Sequence, residues 1–142
     1  MIVSAKTEYA CIAVLELAAR HGSGEPVRIR DIAEAHGIPS RFLVQILLQL
    51  KTASLVQSVR GAAGGYRLAR DPEEITLLDV MTVVDTQLGE TEPAATRSTP
   101  TTRALIRTWK DVAAKERELL EGVSFADLVE RLKGAPEGMY YI

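Results

Sequence analysis

The stretch from Asp31 to Leu68 constrains this chain more than any other, because its hydrophobic period changes there twice. Asp31 to His36 reads as a short helix that stops at Gly37. Glycine at that place suits a left-handed helix end or the turn after it. Ile38-Pro39-Ser40 opens a longer helix, Ser40 to Thr52, on which Leu43, Ile46, Leu47 and Leu50 form one apolar stripe. Leu55-Val56-Gln57-Ser58-Val59 then alternates like a strand. Gly61-Ala62-Ala63-Gly64-Gly65 is a turn of small residues, and Tyr66-Arg67-Leu68 alternates again, which makes a β-hairpin. A short helix, a glycine turn, a second helix and a hairpin directly behind it spell a helix-turn-helix with a wing. Just upstream, Val27-Arg28-Ile29-Arg30 alternates and predicts a short strand or extended turn.

The second helix carries Arg41, Gln45 and Gln49 at i, i+4 and i+8 on a stripe of their own, near Leu48. Arginine and glutamine suit bidentate contact with guanine and adenine edges. Both are also ordinary helix formers, so the stripe alone is weak. Arg60 stands at the rising edge of the hairpin and Arg67 on its return strand. A glycine-rich loop between arginines can approach phosphates or a minor groove closely. A nucleotide loop would need a Gly-Lys-Ser/Thr ending and a following helix, and this segment has neither.

Charge points the same way only when it is mapped. The formal net charge is −2 and the pI about 5.7, which by itself argues against nucleic acid. Residues 1–70, however, hold nine Lys/Arg against five Asp/Glu, and residues 71–142 hold eight against fourteen. Between Glu34 and Asp71 there is no acidic residue, while Arg41, Lys51, Arg60, Arg67 and Arg70 all fall there. A one-signed stretch in a near-neutral protein is a candidate anion-binding face, or simply a solvated surface.

The remainder is helical. In Lys6 to Arg20, Ala10, Cys11, Val14, Leu17 and Ala18 share a face, with Glu8, Glu16 and Arg20 opposite. Tyr9, Ile12 and Ala13 lie toward the charged side, so the helix is expected to meet a second partner surface as well as its own core. Thr76 and Asp79 fit a capping box ahead of Val80, Met81, Val83 and Val84. Glu90 to Thr102, rich in Pro and Thr, reads as a loop. A long helix follows from about Thr102 to Glu121. Its Leu105, Trp109, Val112 and Leu119 make a heptad-like seam broken by Glu116. In a chain of 142 residues a second copy is the expected partner for that seam. Ser124 with Asp127 caps a last helix, Phe125 to Leu132, and the tail from Gly134 is expected to be loose unless Met139-Tyr140-Tyr141-Ile142 docks.

Composition excludes the other broad classes. At 46% hydrophobic and 25% charged, the chain is ordinary for a globular protein. No stretch reaches the ~18 apolar residues of a membrane span, and the N-terminus lacks a secretory pattern. With Cys11 the only cysteine, no internal disulfide can form, and a cytoplasmic location is expected. Two histidines and one cysteine give no nucleophile–base pairing or metal spacing, and Ser58 beside Arg60 has no nearby base, so an enzyme is not expected.

One longer pattern is specific. Tyr9-Ala10, Asp31-Ile32-Ala33, Ile38-Pro39-Ser40 and above all Ser58-Val59-Arg60-Gly61-Ala62-Ala63-Gly64-Gly65-Tyr66-Arg67-Leu68-Ala69 resemble the Rrf2 family of bacterial winged-helix repressors, of the IscR, NsrR and CymR types. Ile75 to Val80, Trp109 and Ala126-Asp127-Leu128 carry the resemblance over nearly the whole chain. It implies a mostly α fold with a small β wing and a homodimer on double-stranded DNA at a palindromic operator. The helix Ser40–Lys51 would lie in the major groove and the wing in the minor groove. Residues 1–85 would form the winged helix-turn-helix domain, 86–101 a linker or effector loop, and 102–142 the dimerisation and C-terminal helices. The DNA-binding candidates are then Arg28, Ser40, Arg41, Gln45, Gln49, Ser58, Arg60, Gly64, Gly65, Tyr66 and Arg67. The dimer candidates are Tyr9, Ile12, Leu105, Trp109, Val112 and Leu119.

The chain departs from that family in one respect. Its iron–sulfur members carry three cysteines ahead of the long helix, and Thr86–Thr102 has none. Cluster ligation needs thiolates or a few substitutes such as His. No cofactor is therefore expected; an atypical cluster or metal would have to use Glu8, Cys11 and His36 of two subunits. Cys11 is otherwise a buried small hydrophobe and His36 a plain helix-end residue. The signal would be a small molecule, a thiol change at Cys11 or a protein effector. The alternative reading is a protein-interaction module whose partner acts on transcription indirectly.

Overall fold

The computed structural model describes residues 1–86, 88 and 93–134. Its order is α1 (Ala5–Ala19), a 3-10 turn (His21–Ser23), α2 (Ile29–His36), α3 (Ser40–Thr52), β1 (Val56–Val59), β2 (Gly65–Leu68), a second 3-10 turn (Pro72–Glu74), α4 (Leu77–Val84), α5 (Pro100–Glu121) and α6 (Phe125–Lys133). The segments Gln87, Gly89–Glu92 and Ala135–Ile142, including the docking tail considered above, lie outside the described residues.

The core gathers around α1, which packs against α3, α4, α6 and β2. That crowding corrects the reading of its faces. Ala13, assigned to the charged side, is fully buried, and Tyr9 and Ile12 are half-buried against the core. A helix enclosed by four elements needs apolar residues around most of its girth. Cys11, expected to be buried, is only half-buried.

Two helix starts also differ from the sequence expectation. Val27-Arg28-Ile29-Arg30 is not a strand: α2 already begins at Ile29, and only Val27 makes a β-bridge, to Tyr66. Four residues are too few for alternation to be told from helix. The long helix begins at Pro100 rather than Thr102. Thr99 caps it and Pro100 occupies the first turn, where the missing N–H costs nothing.

The other local signals hold. Gly37 takes φ 65° and ψ 34°, and the Ile38 amide closes back onto the Ala33 carbonyl at 3.0 Å. Capping boxes open α4 (Thr76 with Asp79) and α6 (Ser124 with Asp127). The hairpin is antiparallel, with Val56 opposite Leu68 and Ser58 opposite Tyr66. Helix α6 returns to the N-terminal half. Phe125 is fully buried, its amide donates to the Ile75 carbonyl at 2.8 Å, and the Leu77 amide donates to Val123 at 3.0 Å. The core thus spans both sides of the Pro/Thr loop.

Candidate nucleic-acid interface

Helix α3 is seated by four leucine and isoleucine side chains. Leu43, Ile46, Leu47 and Leu50 are all essentially without solvent exposure. With the inward stripe fixed, the outward residues are fixed too. Arg41 and Gln45 project into solvent beside Ser40, and Lys51 follows in the last turn. The Arg41 guanidinium lies 5.0 Å from the centre of the Phe42 ring, and Phe42 leans on Tyr9 at 6.2 Å between centroids. This cation–π contact steadies a side chain that would otherwise sample many rotamers. Gln49 falls at the flank. It is half-buried, and its Oε1 is buried without a hydrogen-bond partner. Of the glutamines on that stripe, Gln45 is therefore the better presented.

The wing is held by backbone contacts that demand glycine. A Cβ on Gly64 would stand 2.2 Å from the Val59 carbonyl oxygen, and one on Gly65 would stand 2.4 Å from that of Val27. Both contacts are far inside van der Waals range. The Gly65 position lets Tyr66 and Val27 exchange two backbone hydrogen bonds of 2.8 Å, which fasten the return strand to the loop before α2. Arg28 caps the same junction: its Nη2 donates to the Ala62 carbonyl at the wing turn. Arg28 thus ties the wing turn to the start of α2, a contact its sequence context gave no means to find. Ser58, Arg60 and Arg67 are exposed along the hairpin, and Tyr66 is half-buried. No described acidic side chain pairs with Arg41, Lys51, Arg60, Arg67 or Arg70 within ion-pair distance.

The dimer candidates form a different kind of surface. Along α5, Leu105, Trp109, Val112 and Leu119 are all exposed, Leu119 to 72%. Glu116, the break in the seam, reaches the N-terminal ammonium of Met1 at 3.4 Å. Among the described residues none covers these four side chains.

The metal candidates do not converge within one chain. His36 Nε2 lies 2.8 Å from Glu16 Oε1, which also meets Arg20 through its other oxygen at 3.8 Å. Glu16 is well around α1 from Cys11. Burial pushes the Cys11 thiol up to about 11, so it is a poor thiolate source. Among the described residues no group of three or more His, Cys, Asp or Glu is placed to hold a metal ion. The donor set does not fit an iron–sulfur cluster.

A glycine-jointed helix pair followed by a pinned two-stranded wing defines a winged helix-turn-helix protein. The Rrf2 family model, described as an iron-dependent transcriptional regulator, matches residues 3–131, and the chain belongs to that family. It is 41% identical over 131 residues to Rv1287 of Mycobacterium tuberculosis, named as a candidate HTH-type transcriptional regulator, covering 90% of this chain and 81% of the relative. It is 32% identical to the HTH-type regulator CymR of Bacillus subtilis over the full length of both. The solved structure of B. subtilis CymR superposes with a TM-score of 0.80 at 30% identity, over 92% of this chain and 98% of the other. IscR of T. potens superposes at 0.77 and 32% identity, over 100% and 97%. The family is one of DNA-binding transcriptional regulators, not enzymes. Among the described residues no helix is long and apolar enough to cross a membrane.

Proposed function

We propose that this chain is a cluster-free, homodimeric repressor that reads a palindromic operator with α3 in the major groove and the wing in the adjacent minor groove. Residues 1–85 would carry DNA contact. Residues 102–142 would supply the dimer helix and α6, with 86–101 between them as the place for an effector. Arg41 and Gln45, with Ser40, reach base edges. Arg60 and Arg67 meet phosphate or the minor groove, and Ser58, Gly64, Gly65 and Tyr66 shape the approach. Gln49 sits at the margin, and Arg28 acts through the wing turn.

The observation that carries this reading is the succession of two features: an outward Arg/Gln stripe on a firmly seated helix and, directly after it, a pinned wing, both inside a stretch free of acids. Two-fold symmetry of the dimer would be mirrored in the site. Titrating the purified protein into duplex from its own promoter region and into random duplex, across a salt series, tests it. The expected result is tighter binding of the promoter by ~10³-fold or more, with affinity falling steeply as salt rises. Equal affinity for both duplexes would sink the specific-regulator reading. Salt-insensitive binding would move attention to a protein partner.

A further inference from the structure

The outward stripe of α3 is not wholly polar. Val44 is 50% exposed and Leu48 is 57% exposed, between Arg41 and Gln45 on one side and Lys51 on the other. At ~100° per residue, Arg41, Val44, Gln45 and Leu48 occupy i, i+3, i+4 and i+7, one continuous face. Neither apolar side chain has a place in the core, because Leu43, Ile46, Leu47 and Leu50 already fill the opposite stripe. A single exposed leucine would need no explanation. A valine and a leucine at i, i+4, in the middle of a face otherwise built of Arg, Gln and Lys, form a small dry strip in a cationic frame.

That frame selects the occupant. A partner with a purely apolar groove would leave the cations at Arg41 and Lys51 without counter-charges, whereas duplex DNA offers phosphates to the cations and apolar groups within its major groove. The apolar groups there are thymine 5-methyls. We propose that Val44 and Leu48 read thymine methyl groups of the operator, in addition to the base-edge contacts of Arg41 and Gln45. The inference rests on the operator-binding reading above and extends it to base identity. Four residues of helix advance ~6 Å, close to two base-pair steps of ~3.4 Å. The two side chains would therefore meet thymines about two steps apart within each half-site.

Uracil differs from thymine at this edge only by the methyl, which makes the test clean. An operator is first selected from a randomised duplex pool with the full-length dimer. Each thymine is then replaced by deoxyuridine, and the affinity is measured for the parent protein, Val44→Ala and Leu48→Ala. One or two thymines per half-site should each lose ~4-fold in affinity on losing the methyl, the equivalent of ~0.8 kcal/mol. The loss at one thymine should vanish in Val44→Ala and that at the other in Leu48→Ala. Both positions are exposed and alanine is a better helix former, so folding is unaffected; circular dichroism checks this. A selected operator indifferent to uracil everywhere overturns the inference while leaving the regulator reading intact. Uracil sensitivity that persists unchanged in both variants also overturns it. A pool that yields no preferred sequence overturns the operator reading, and this inference with it.

Discussion

Helices α3 and α5 both present apolar side chains to solvent, yet they do so from opposite foundations. In α3 the inner stripe is fully buried, so Val44 and Leu48 stand on a platform that is already paid for. In α5 only Leu120 among its residues is buried, and Leu105, Trp109, Val112 and Leu119 face outward along 22 residues. The first helix is complete without a partner and displays a few chosen groups. The second, in the homodimer proposed above, is half of a core. Exposure alone therefore does not define a surface; what lies behind the exposed residue decides whether it is a reader or an unfinished interface.

The largest effect should come from breaking the platform of α3. Leu47→Ala removes a fully buried side chain, and chemical denaturation should find a loss of ~2–5 kcal/mol. Leu48→Ala, one residue on, should leave unfolding within ~0.5 kcal/mol of the parent. Equal losses at the two positions would break the contrast between the faces of α3.

Next comes α5. Trp109→Asp places a charge in the middle of the exposed seam, where burial against a second copy would leave it unpaired. Sedimentation should show a folded monomer, and operator affinity should drop by ~10²-fold or more as the linked second half-site is lost. A variant that stays dimeric would remove α5 from the interface.

The reading helix and the wing should then separate. Arg41→Ala is expected to cost ~1–3 kcal/mol at one base pair and to relax preference there. Arg60→Ala should weaken binding evenly across sequences and lower the salt slope by about one. Affinities for single-base operator variants in a salt series distinguish the two.

Legibility in the sequence followed the range of the interactions. Helix α3 was readable to its ends because thirteen residues give a period time to repeat, and the capping boxes of α4 and α6 were readable because a span of four residues defines each. Gly37 was readable for the same local reason. What escaped was tertiary. Ala13 is buried because four elements surround α1, a fact absent from its own periodicity. Arg28 reaches Ala62 across 34 residues, and nothing near Arg28 announces it. Gln49 continued the Arg41–Gln45 spacing in sequence, but each four-residue step overshoots a turn by ~40°, and two steps carried it to the half-buried flank. Pro100 was hidden by composition: a Pro/Thr-rich stretch reads as loop even where Thr99 and Pro100 begin a helix.

The smallest effect tests how α5 is rooted. Ser124 and Asp127 exchange hydrogen bonds of 3.0 Å each way at the start of α6, directly behind the end of α5. The Ser124 amide donating to Asp127 holds that carboxyl below its usual range, helped by the Ser124 side chain and by Arg131. A depressed folded-state value means that the contribution is present above the unfolded carboxylate value and is lost as pH falls through the lower folded one. Ser124→Ala should cost ~1 kcal/mol at neutral pH. The pH-dependent part belongs to the carboxylate, so the gap between Asp127→Asn and the parent should narrow as pH falls below ~4, the ordinary Asp value. Amide hydrogen exchange gives the regional answer. Protection should fall in α6 and in the last turn of α5, around Leu119 to Gly122, while α3 keeps its own. Equal loosening of α3 would mean that the two helices share one cooperative unit, and the difference between reader and half-core would then be one of surface only.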